Sequence, residues 1–341
     1  MVQNMKILHV MILDKFIPPF IKFINENFNS KDHLFVILGK PRNEYGMELN
    51  VKNVYWLDRK LKILEFEKYL NKANKIILHG LWNEKILKLL ILQPWLLKKV
   101  YWVMWGGDFY FPEKHSCIKK FVIKNIRNVI TYIKADVEYI KKYYKANPKY
   151  HECLIYLSNI FDESKYKTCQ KIEKDEIWVL VGNSSSNTNR HEFIFEKISQ
   201  FRMKNFKVIV PLSYGDIEYR NKILNIGKNI LGDKFYPLLD FMPYNDYLNI
   251  LYNTDIALFA HNRQQGMGNL IQLLGLGKKV NLNSETSQWD LCQYLGLKVY
   301  DINGDIELKI NTQEIENNKK IVKEWFSLEN LIKQWRNILY G

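Results

Sequence analysis

The sequence predicts an α/β protein made of two doubly wound, parallel-sheet domains in tandem, with a cleft between them. Three observations support this fold class. Short apolar segments rich in Val and Ile alternate with amphipathic helical segments. The alternation is interrupted by a polar, charged stretch at 162–176, typical of a linker, and then begins again. A length of 341 residues is enough for two hydrophobic cores.

In the first half, predicted strands and helices alternate, which is the order of a parallel sheet with helices on both faces. The predicted strands are Ile7–Leu13, His33–Leu38, Val51–Trp56, Ile76–Leu78, Lys99–Met104 and Val129–Ile133. The predicted helices are Phe16–Phe28, Leu61–Ala73, Glu84–Leu92, Ile118–Asn128 and Asp136–Tyr144. This half is predicted to form the N-terminal domain, residues 1–165.

The second half repeats this order and is predicted to form a C-terminal domain at 166–320, with residues 321–341 returning toward the first domain. The predicted strands are Ile177–Val181, Lys207–Pro211, Phe235–Leu238, Ile256–Ala260 and Val280–Leu282. The predicted helices are His191–Phe201, Ile217–Ile230, Tyr244–Tyr252, Asn269–Leu276 and a closing helix at Trp325–Leu339.

The strongest indication of a ligand site is the segment Asp255–Asn283, with the order strand, glycine-containing turn, helix, strand. Gly266 and Gly268 let backbone N–H groups approach a ligand closely. The following helix begins at that turn, so its positive dipole end points to the same place. The segment predicts a phosphate-binding site at the carboxyl edge of the second sheet. The alternative is a glycine loop needed only for chain geometry.

Side chains in and near this turn suit the same ligand. Arg263 can neutralise phosphate, and the amides of Gln264 and Gln265 can bind a base, a ribose or sugar hydroxyls. A second loop, Gly182–Ser186, also follows a strand and offers backbone amides and hydroxyls to a diphosphate. Neither a GxGxxG fingerprint nor a P-loop is present, so dinucleotide-binding and P-loop proteins are not indicated. An ordinary capped strand-to-helix turn remains open for this loop.

The spacing in this region resembles that of nucleotide-sugar transferases of the two-Rossmann, GT-B type. Those enzymes carry E-x7-E in the strand–loop–helix unit, followed by glycine and valine. Here Gln264 and Gln272 occupy the two Glu positions, and Gly277 and Val280 follow at the expected places. The resemblance implies the architecture, while the loss of both carboxylates argues against carboxylate-dependent chemistry at this turn.

Five segments resemble glycosyltransferase family 56: HGLWN (79–83), YWVMWGGDFY (101–110), LVGNSSSNTNRHE (180–192), VIVPLSYG (208–215) and RQQGMGNLIQLLGLG (263–277). The type member of that family transfers 4-acetamido-4,6-dideoxygalactose from TDP to a lipid-diphosphate-linked saccharide in enterobacterial common antigen synthesis. The resemblance implies a TDP-sugar donor and an undecaprenyl-diphosphate-linked acceptor. The residues that the resemblance assigns to the donor are Asn183, Ser184, Tyr214, Gly215, Gln264, Gln265, Gly266, Gly268 and Asn269. Gly182, Arg263 and Gln272 are predicted to bind the donor as well.

Polar side chains at strand ends of the first domain are candidates for catalysis and acceptor binding. Asp108 can be a base for an acceptor hydroxyl or can orient a sugar, and the alternative is a helix cap. Trp105 can stack on a sugar or pack in the core, and Gly106 and Gly107 follow it. His79 can accept a proton or remain a structural histidine.

A third candidate base, Asp14, follows the first strand, with a turn-forming role as the alternative. Metal-assisted departure of the diphosphate is not indicated, because no DxD follows a strand. Four separated cysteines indicate neither a zinc site nor a disulfide framework, and a reducing cytoplasm fits. No metal and no cofactor are predicted.

The charge is uneven. Residues 1–165 hold 28 Lys+Arg and 16 Asp+Glu, a balance of +12 out of the total of +14. A basic, aromatic-containing run at 114–149 suits the headgroups of an anionic leaflet, and a solvated helix face is the alternative. With no signal peptide and no stretch of 18 apolar residues, the sequence predicts a peripheral protein on the cytoplasmic face of the bacterial inner membrane.

The function predicted is glycosyl transfer from a nucleoside-diphosphate sugar to a lipid-linked saccharide. Three alternatives stay open at this stage. One is the same fold with a UDP- or GDP-sugar, for O-antigen or capsule. Another is a sugar-nucleotide epimerase or hydrolase. The third is a basic nucleic-acid-binding protein, against which the missing zinc spacing and RNP-like strings argue, so nucleic acid is not a predicted partner.

Overall fold

The structure, a computed structural model, describes residues 5–48, 50–58, 63–201, 205–309 and 312–341. The chain forms two compact units: Met1–Asn159 with Leu328–Gly341, here unit 1, and Ile160–Ser327, here unit 2. Each unit is built on one parallel sheet. The prediction of two parallel-sheet α/β domains is therefore confirmed.

The strands of unit 1 are β1 (Ile7–Ile12), β2 (His33–Leu38), β3 (Val54–Leu57), β4 (Lys75–His79), β5 (Val100–Val103), β6 (Asn128–Thr131) and β7 (Lys149–Glu152). They form one sheet in the order β3-β2-β1-β4-β5-β6-β7. Chain order reverses between β1 and β4, so the loops after these two strands diverge and leave room for a ligand at the carboxyl edge. The central strand β1 is buried along almost its whole length, although it contains His9.

The helices of unit 1 are α1 (Ile17–Asn27), α2 (Ile63–Lys72), α3 (Glu84–Leu92), α4 (Cys117–Asn125), α5 (Lys134–Tyr144) and, from the end of the chain, α12 (Leu328–Tyr340). Their starts follow from local sequence. Prolines occupy the first turn of α1, where an amide hydrogen has no helical partner. The Asn83 side chain accepts the backbone N–H groups of Lys85 and Ile86 and so fixes the start of α3. Leu61, the first residue of the predicted helix 61–73, lies outside the described residues.

The strands of unit 2 are β8 (Ile177–Val181), β9 (Phe206–Pro211), β10 (Phe235–Leu238), β11 (Ile256–Phe259), β12 (Lys279–Leu282) and β13 (Tyr300–Asp301). Their order is β10-β9-β8-β11-β12-β13, with the reversal between β8 and β11. The helices are α6 (His191–Ser199), α7 (Ile217–Leu231), α8 (Tyr244–Asn253), α9 (Met267–Gly275), α10 (Ser287–Leu295) and α11 (Thr312–Trp325).

The sequence interpretation missed β7, β13, α10 and α11. Strand β7 is the sequence Lys-Tyr-His-Glu at the edge of its sheet, where half-exposed polar residues hide the strand pattern. The predicted closing helix Trp325–Leu339 is wrong at its start. Trp325 ends α11, and α12 begins only at Leu328, so the apolar periodicity of two helices was read as one.

The last helix belongs to unit 1. The Trp335 side chain is fully buried, and its indole N–H donates to the Ile155 carbonyl oxygen at 2.9 Å. Its ring contacts that of Phe20 in α1, with 5.2 Å between centroids. The Gln334 amide oxygen accepts the backbone N–H of Leu154 at 2.8 Å. Helix α12 therefore covers part of the core that α1 and β1 form.

Candidate active site

Most of the predicted donor residues lie on three loops of unit 2, which follow β8, β9 and β11: the 182–190 loop, the 212–216 loop and the 260–266 loop. The others, Gly268, Asn269 and Gln272, lie in α9. The first and third of these loops flank the point where strand order reverses. In an open parallel sheet this is where ligands bind.

Four side chains tie these loops together. The Gln265 amide donates to the Asn183 side-chain oxygen at 3.0 Å, and the Asn183 amide donates to the Tyr214 hydroxyl at 3.1 Å. Thr188 donates its hydroxyl proton to the Gln265 amide oxygen at 2.5 Å. The structure therefore brings Asn183, Tyr214 and Gln265 into one hydrogen-bonded network.

Two glycines allow the 182–190 and 212–216 loops to close up. Gly182 has φ +67°, and a methyl group there would lie 2.6 Å from His191 Nε2 and 2.8 Å from Asn189 Oδ1. Gly215 has φ +117° and pairs with Ser185, whose carbonyl oxygen would lie 2.7 Å from an added methyl group. Side chains at either position would therefore push the loops apart.

The third loop leads directly into α9. Gly266 precedes the first helical residue with φ +67°, and Gly268 and Asn269 lie within the first turn. Backbone N–H groups in a first helical turn have no helical acceptor and attract an anion. The Asn269 amide donates to the Tyr247 hydroxyl at 2.7 Å, so this side chain is held by α8.

The remaining donor candidates lie differently. Arg263 is half-buried, and its guanidinium donates to the neighbouring Gln264 carbonyl oxygen at 2.9 Å. Gln272 is buried further along α9: its amide oxygen accepts the Tyr166 hydroxyl at 2.9 Å and its NH2 donates to the Ile160 carbonyl at 2.8 Å. The position that holds a glutamate in many GT-B enzymes is thus used here to anchor the start of unit 2.

Sequence reasoning missed the buried groups behind these loops. Asn189 is fully buried, and its side-chain oxygen accepts the backbone N–H of Asn183 at 2.9 Å. The same oxygen lies 3.1 Å from His261 Nε2, and the Gln288 amide donates to the Gln265 carbonyl at 2.7 Å. Burial lowers the pKa of His261 to about 3, so this ring is a neutral scaffold. The run of polar residues after Gly182 was the feature of the sequence that could have indicated Asn189 as a buried residue supporting this loop.

In unit 1, Asp108 is fully buried and joins two strand ends. Its carboxylate accepts the indole N–H of Trp102 at 2.7 Å and the backbone N–H groups of Leu81 and Trp105 at 3.0 Å each. Burial raises the pKa of Asp108, while these three hydrogen bonds act in the opposite direction. The carboxylate fixes the loops after β4 and β5 against one another.

Asp14 and His79 follow β1 and end β4, the two strands at the reversal point. Asp14 is half-buried, and its side chain accepts the backbone N–H of Phe16 at 3.3 Å, just before α1. His79 is buried, with Nδ1 2.7 Å from the Tyr156 hydroxyl and Nε2 3.3 Å from His9 Nδ1. Burial lowers the pKa of His79 to about 3.

A small recess borders this edge, lined by residues of β1, β4 and α3 and by the loop before α3, which contains Trp82. His79 is one of the β4 residues that line it. Trp82, which the sequence interpretation did not select, is 42% exposed and lies edge-on to Trp105 with 6.1 Å between ring centroids. It lies on two glycines, since a methyl group at Gly80 or Gly107 would be 2.2 or 3.0 Å from its ring. Two indoles therefore meet at the carboxyl edge.

A buried lysine stands beside Trp82. Lys119 is 8% exposed, and its Nζ lies 5.5 Å from the centre of the Trp82 ring. Burial lowers the pKa of Lys119, while Asp108 and Glu84 act to raise it. The recess thus has an aromatic wall backed by a positive group. Gly106, at φ +82°, turns the chain between Trp105 and Gly107.

Among the described residues, no group of three His, Cys, Asp or Glu side chains is placed to hold a metal ion. In the same part of the chain, every helix is too short or too polar to cross a bilayer.

Comparison with known proteins agrees with this fold. The sequence model of the family described as "4-alpha-L-fucosyltransferase glycosyl transferase group 56" matches residues 22–340. The Anabaena protein Alr3699/HepE, solved in complex with UDP and glucose, is similar with a TM-score of 0.69 at 14% identity, covering 98% of this chain and 99% of that one. A glycosyltransferase from Rickettsia africae ESF-5 gives a TM-score of 0.64 at 13% identity, covering 99% and 98%.

The fold alone is shared more widely. A putative UDP-N-acetylglucosamine 2-epimerase from Listeria monocytogenes is similar with a TM-score of 0.55 at 12% identity, covering 98% of this chain and 95% of that one. Structural likeness at such identities establishes the GT-B architecture, and the family match distinguishes among the activities that use it.

Proposed function

Because this chain belongs to glycosyltransferase family 56, we propose that it transfers a sugar from a nucleoside diphosphate to a lipid-diphosphate-linked saccharide. The proposed donor is TDP-4-acetamido-4,6-dideoxygalactose, and the product belongs to a bacterial surface polysaccharide. The observation that supports the proposal most directly is the Gln265–Asn183–Tyr214 network beside the first turn of α9.

Unit 2 would bind the donor. The first turn of α9, with Gly266 before it, offers backbone N–H groups to the diphosphate, and Arg263 supplies positive charge from the same loop. The negative charge that develops on the departing diphosphate is then stabilised by fixed dipoles in place before the reaction. The amides of Asn183 and Gln265 are left to bind hydroxyls of ribose or sugar. Gln272 acts indirectly, by anchoring the residues before β8.

Unit 1 would bind the acceptor. The exposed indole of Trp82 and the half-buried indole of Trp105 present apolar faces suited to the C–H faces of a pyranose. Lys119 places positive charge next to this surface, which suits an anionic, diphosphate-linked acceptor. Gly106 turns the chain after Trp105 and Gly107 makes room for the Trp82 ring, so both would shape this surface.

The three predicted catalytic residues receive different roles in this proposal. Asp108 is a positioning residue, because its carboxylate already accepts three hydrogen bonds inside the unit. Asp14 retains exposed surface and is assigned to a hydroxyl of the acceptor sugar. His79, kept neutral by burial and in contact with the Tyr156 hydroxyl, is assigned to the removal of the proton of the reacting hydroxyl by way of Tyr156.

The basic balance of residues 1–165 supports a location on the cytoplasmic face of the inner membrane, where anionic headgroups attract Lys and Arg at about 1 kcal/mol each. We expect the protein to sediment with vesicles of 30% phosphatidylglycerol at low salt and to be released as salt screens the charges. Failure to sediment at low salt would contradict the peripheral location.

A UDP-sugar donor is the second candidate, because the similar Anabaena protein was solved with UDP. Thermal-shift titration with TDP, UDP and GDP separates the two, since a nucleotide that binds the native state raises the apparent melting temperature. Preference for TDP supports the proposed donor, and preference for UDP supports the second. Conversion of a nucleotide sugar without any acceptor would show an epimerase or hydrolase and would contradict transfer.

A further inference from the structure

Three histidines and one tyrosine form a continuous row of hydrogen-bond contacts through the core of unit 1. His33 Nδ1 lies 3.1 Å from His9 Nε2, and His9 Nδ1 lies 3.3 Å from His79 Nε2. His79 Nδ1 lies 2.7 Å from the Tyr156 hydroxyl, which accepts the indole N–H of Trp105 at 3.1 Å. None of the four is more than 5% exposed. We call His33, His9, His79 and Tyr156 the histidine chain.

Strand register explains how the histidine chain crosses the sheet. Parallel pairing places His33 beside Ile7, and His9 beside Ile77. Side chains two residues apart on a strand share a face, so each histidine lies two residues nearer the carboxyl edge than the previous one. The chain runs diagonally from the amino end of β2 to the carboxyl end of β4. There it meets Tyr156 and Trp105, beside the proposed acceptor site.

The histidines are neutral at neutral pH, so each ring can donate one hydrogen bond and accept another. Burial lowers the pKa of His33 to about 4 and of His79 to about 3, and lowers the pKa of His9 well below its ordinary value. Burial raises the pKa of Tyr156 well above its ordinary value. At neutral pH each ring thus has one N–H and one lone pair. The acidic groups that act on the chain are Asp32 near His33, and Asp14, Asp108 and Cys153 near Tyr156.

Only two arrangements of hydrogens satisfy every contact of the histidine chain. In the first, Tyr156 donates to His79, His79 to His9 and His9 to His33, so all three rings are Nε2–H tautomers. In the second, all three rings are Nδ1–H and donate in the opposite direction. The Tyr156 oxygen has two lone pairs, one used by Trp105. The first arrangement therefore leaves its other lone pair free, and the second leaves its O–H free.

At the far end of the row, one buried nitrogen lacks a hydrogen-bond partner. His33 Nε2 is buried and has no hydrogen-bond partner. An unsatisfied buried polar group costs about 1–3 kcal/mol, and apolar side chains would fill this layer without that cost. Asp32, next in sequence, favours positive charge on His33. The row thus ends at a ring that can receive a proton but passes it to no neighbour.

We propose that the histidine chain is a proton relay that accepts the proton of the acceptor's reacting hydroxyl, with Tyr156 in contact with that hydroxyl. The inference rests on the glycosyl transfer proposed above. As the sugar C1–oxygen bond to the acceptor forms and the C1–oxygen bond to the diphosphate breaks, the hydroxyl proton moves to Tyr156 Oη.

The proton count balances along the row. Tyr156 passes its own proton to His79 Nδ1, His79 passes its Nε2 proton to His9 Nδ1, and His9 passes its Nε2 proton to His33 Nδ1. His33 then holds two protons beside Asp32, and the diphosphate leaves with the bonding electron pair. After product release the proton returns to solvent through Tyr156, and the three rings regain their Nε2–H form.

Nitrogen NMR tests the resting state directly. The protein has seven histidines, so [15N]histidine labelling of the full chain gives few signals, which single variants assign. At pH 7 without substrate we expect His9, His33 and His79 to be neutral and all in the Nε2–H form. A mixed set of tautomers would mean that the row is broken. Three Nδ1–H rings would leave Tyr156 no free lone pair, and either result overturns the relay.

Kinetics tests its role in transfer. His9→Phe interrupts the middle of the row without altering the surface, and we expect kcat to fall about 100-fold with both KM values within two-fold of wild type. Tyr156→Phe should cost as much, and the double variant no more than either, because the residues act as one unit. His151→Gln is the matched control, since His151 contacts Asn128 outside the row and should keep wild-type kcat.

His33→Phe, at the end of the row, provides the same test should His9→Phe fail to fold by circular dichroism. A folded His9→Phe or His33→Phe protein with kcat within three-fold of wild type would overturn the relay. In D2O mixtures, several protons in flight should give wild type a curved dependence of kcat on deuterium fraction, lost in both variants. Wild type that transfers no sugar would instead contradict the proposed function, and the tautomer measurement would still judge the histidine chain.

Discussion

The Gln265 amide donates to the Asn183 side-chain oxygen at 3.0 Å, joining two loops that are 82 residues apart in sequence. Both side chains are only 9% exposed, and each has a further partner in Thr188 or Tyr214. A carboxamide pair at the reversal point of a parallel sheet fixes the distance between the loops after β8 and β11. The geometry of the proposed donor site depends on that distance.

Removing this pair should weaken donor binding. We expect Gln265→Ala to abolish the thermal shift with TDP and to destabilise the protein by about 1–3 kcal/mol, because the Thr188 hydroxyl and the Asn183 oxygen lose a buried partner. Asn183→Ala should behave alike, and the double variant should lose less than the sum. Gln293→Ala, on the exposed face of α10, is the control. An unchanged TDP response in Gln265→Ala would contradict the placement of the donor.

Gly215 should not accept a side chain. Gly215→Ala places a methyl group 2.7 Å from the Ser185 carbonyl oxygen at φ +117°, so we expect a loss of about 1–3 kcal/mol in urea unfolding and weaker nucleotide binding. At Gly304 the nearest atom to an added methyl group is 3.7 Å away, and Gly304→Ala should change neither quantity. Equal behaviour of the two variants would show that the Ser185–Gly215 pairing is dispensable.

Trp82 should determine acceptor affinity. Replacing the indole with Ala removes a stacking surface worth about 0.5–1.5 kcal/mol, so the acceptor KM should rise up to about tenfold while the donor KM is unchanged. Trp82→Phe should lie between. Trp95→Ala removes an indole that is 54% exposed and bonded to Asn71, and serves as the control. A donor KM that rises with the acceptor KM would place Trp82 outside the acceptor site.

Acid should destabilise the protein through its buried histidines. Burial lowers the pKa of His79 and His261 from 6.5 to about 3. Between these pH values the unfolded chain binds protons at both histidines, and the native state does not. Their contribution to the free energy of unfolding is fully present above pH 6.5 and is lost as the pH falls toward 3. Each such histidine costs about 1.4 kcal/mol per pH unit in this window.

Urea unfolding at pH 7 and pH 5 measures this loss. Wild type should be several kcal/mol less stable at pH 5, and His261→Gln should show a smaller difference between the two values. The same stability at both pH values would mean that these rings are more open to water than the structure has them.

The sequence was sufficient for most strands and for the positions of the three loops that carry proposed donor residues, because buried parallel strands are short apolar runs that end in glycine or small polar residues. It could not reveal that Gln272 faces Tyr166, because the start of unit 2 folds back over 100 residues to reach it. The histidine chain was invisible for a related reason. His9, His33 and His79 lie on three strands, and only their register makes them neighbours.

Helix α12 has a consequence for how the polypeptide matures. Its Trp335 packs beside Phe20, and two of its carbonyl oxygens accept hydrogen bonds from the Lys75 ammonium group. The hydrophobic core of unit 1 is therefore complete only when the C-terminal helix has packed against it. During synthesis, N-terminal domains usually fold first. Here the segment that emerges later, Ile160–Ser327, has all its own elements before the earlier one does. Nascent chains stalled before residue 328 should therefore protect unit 2 from protease while leaving the first 159 residues susceptible.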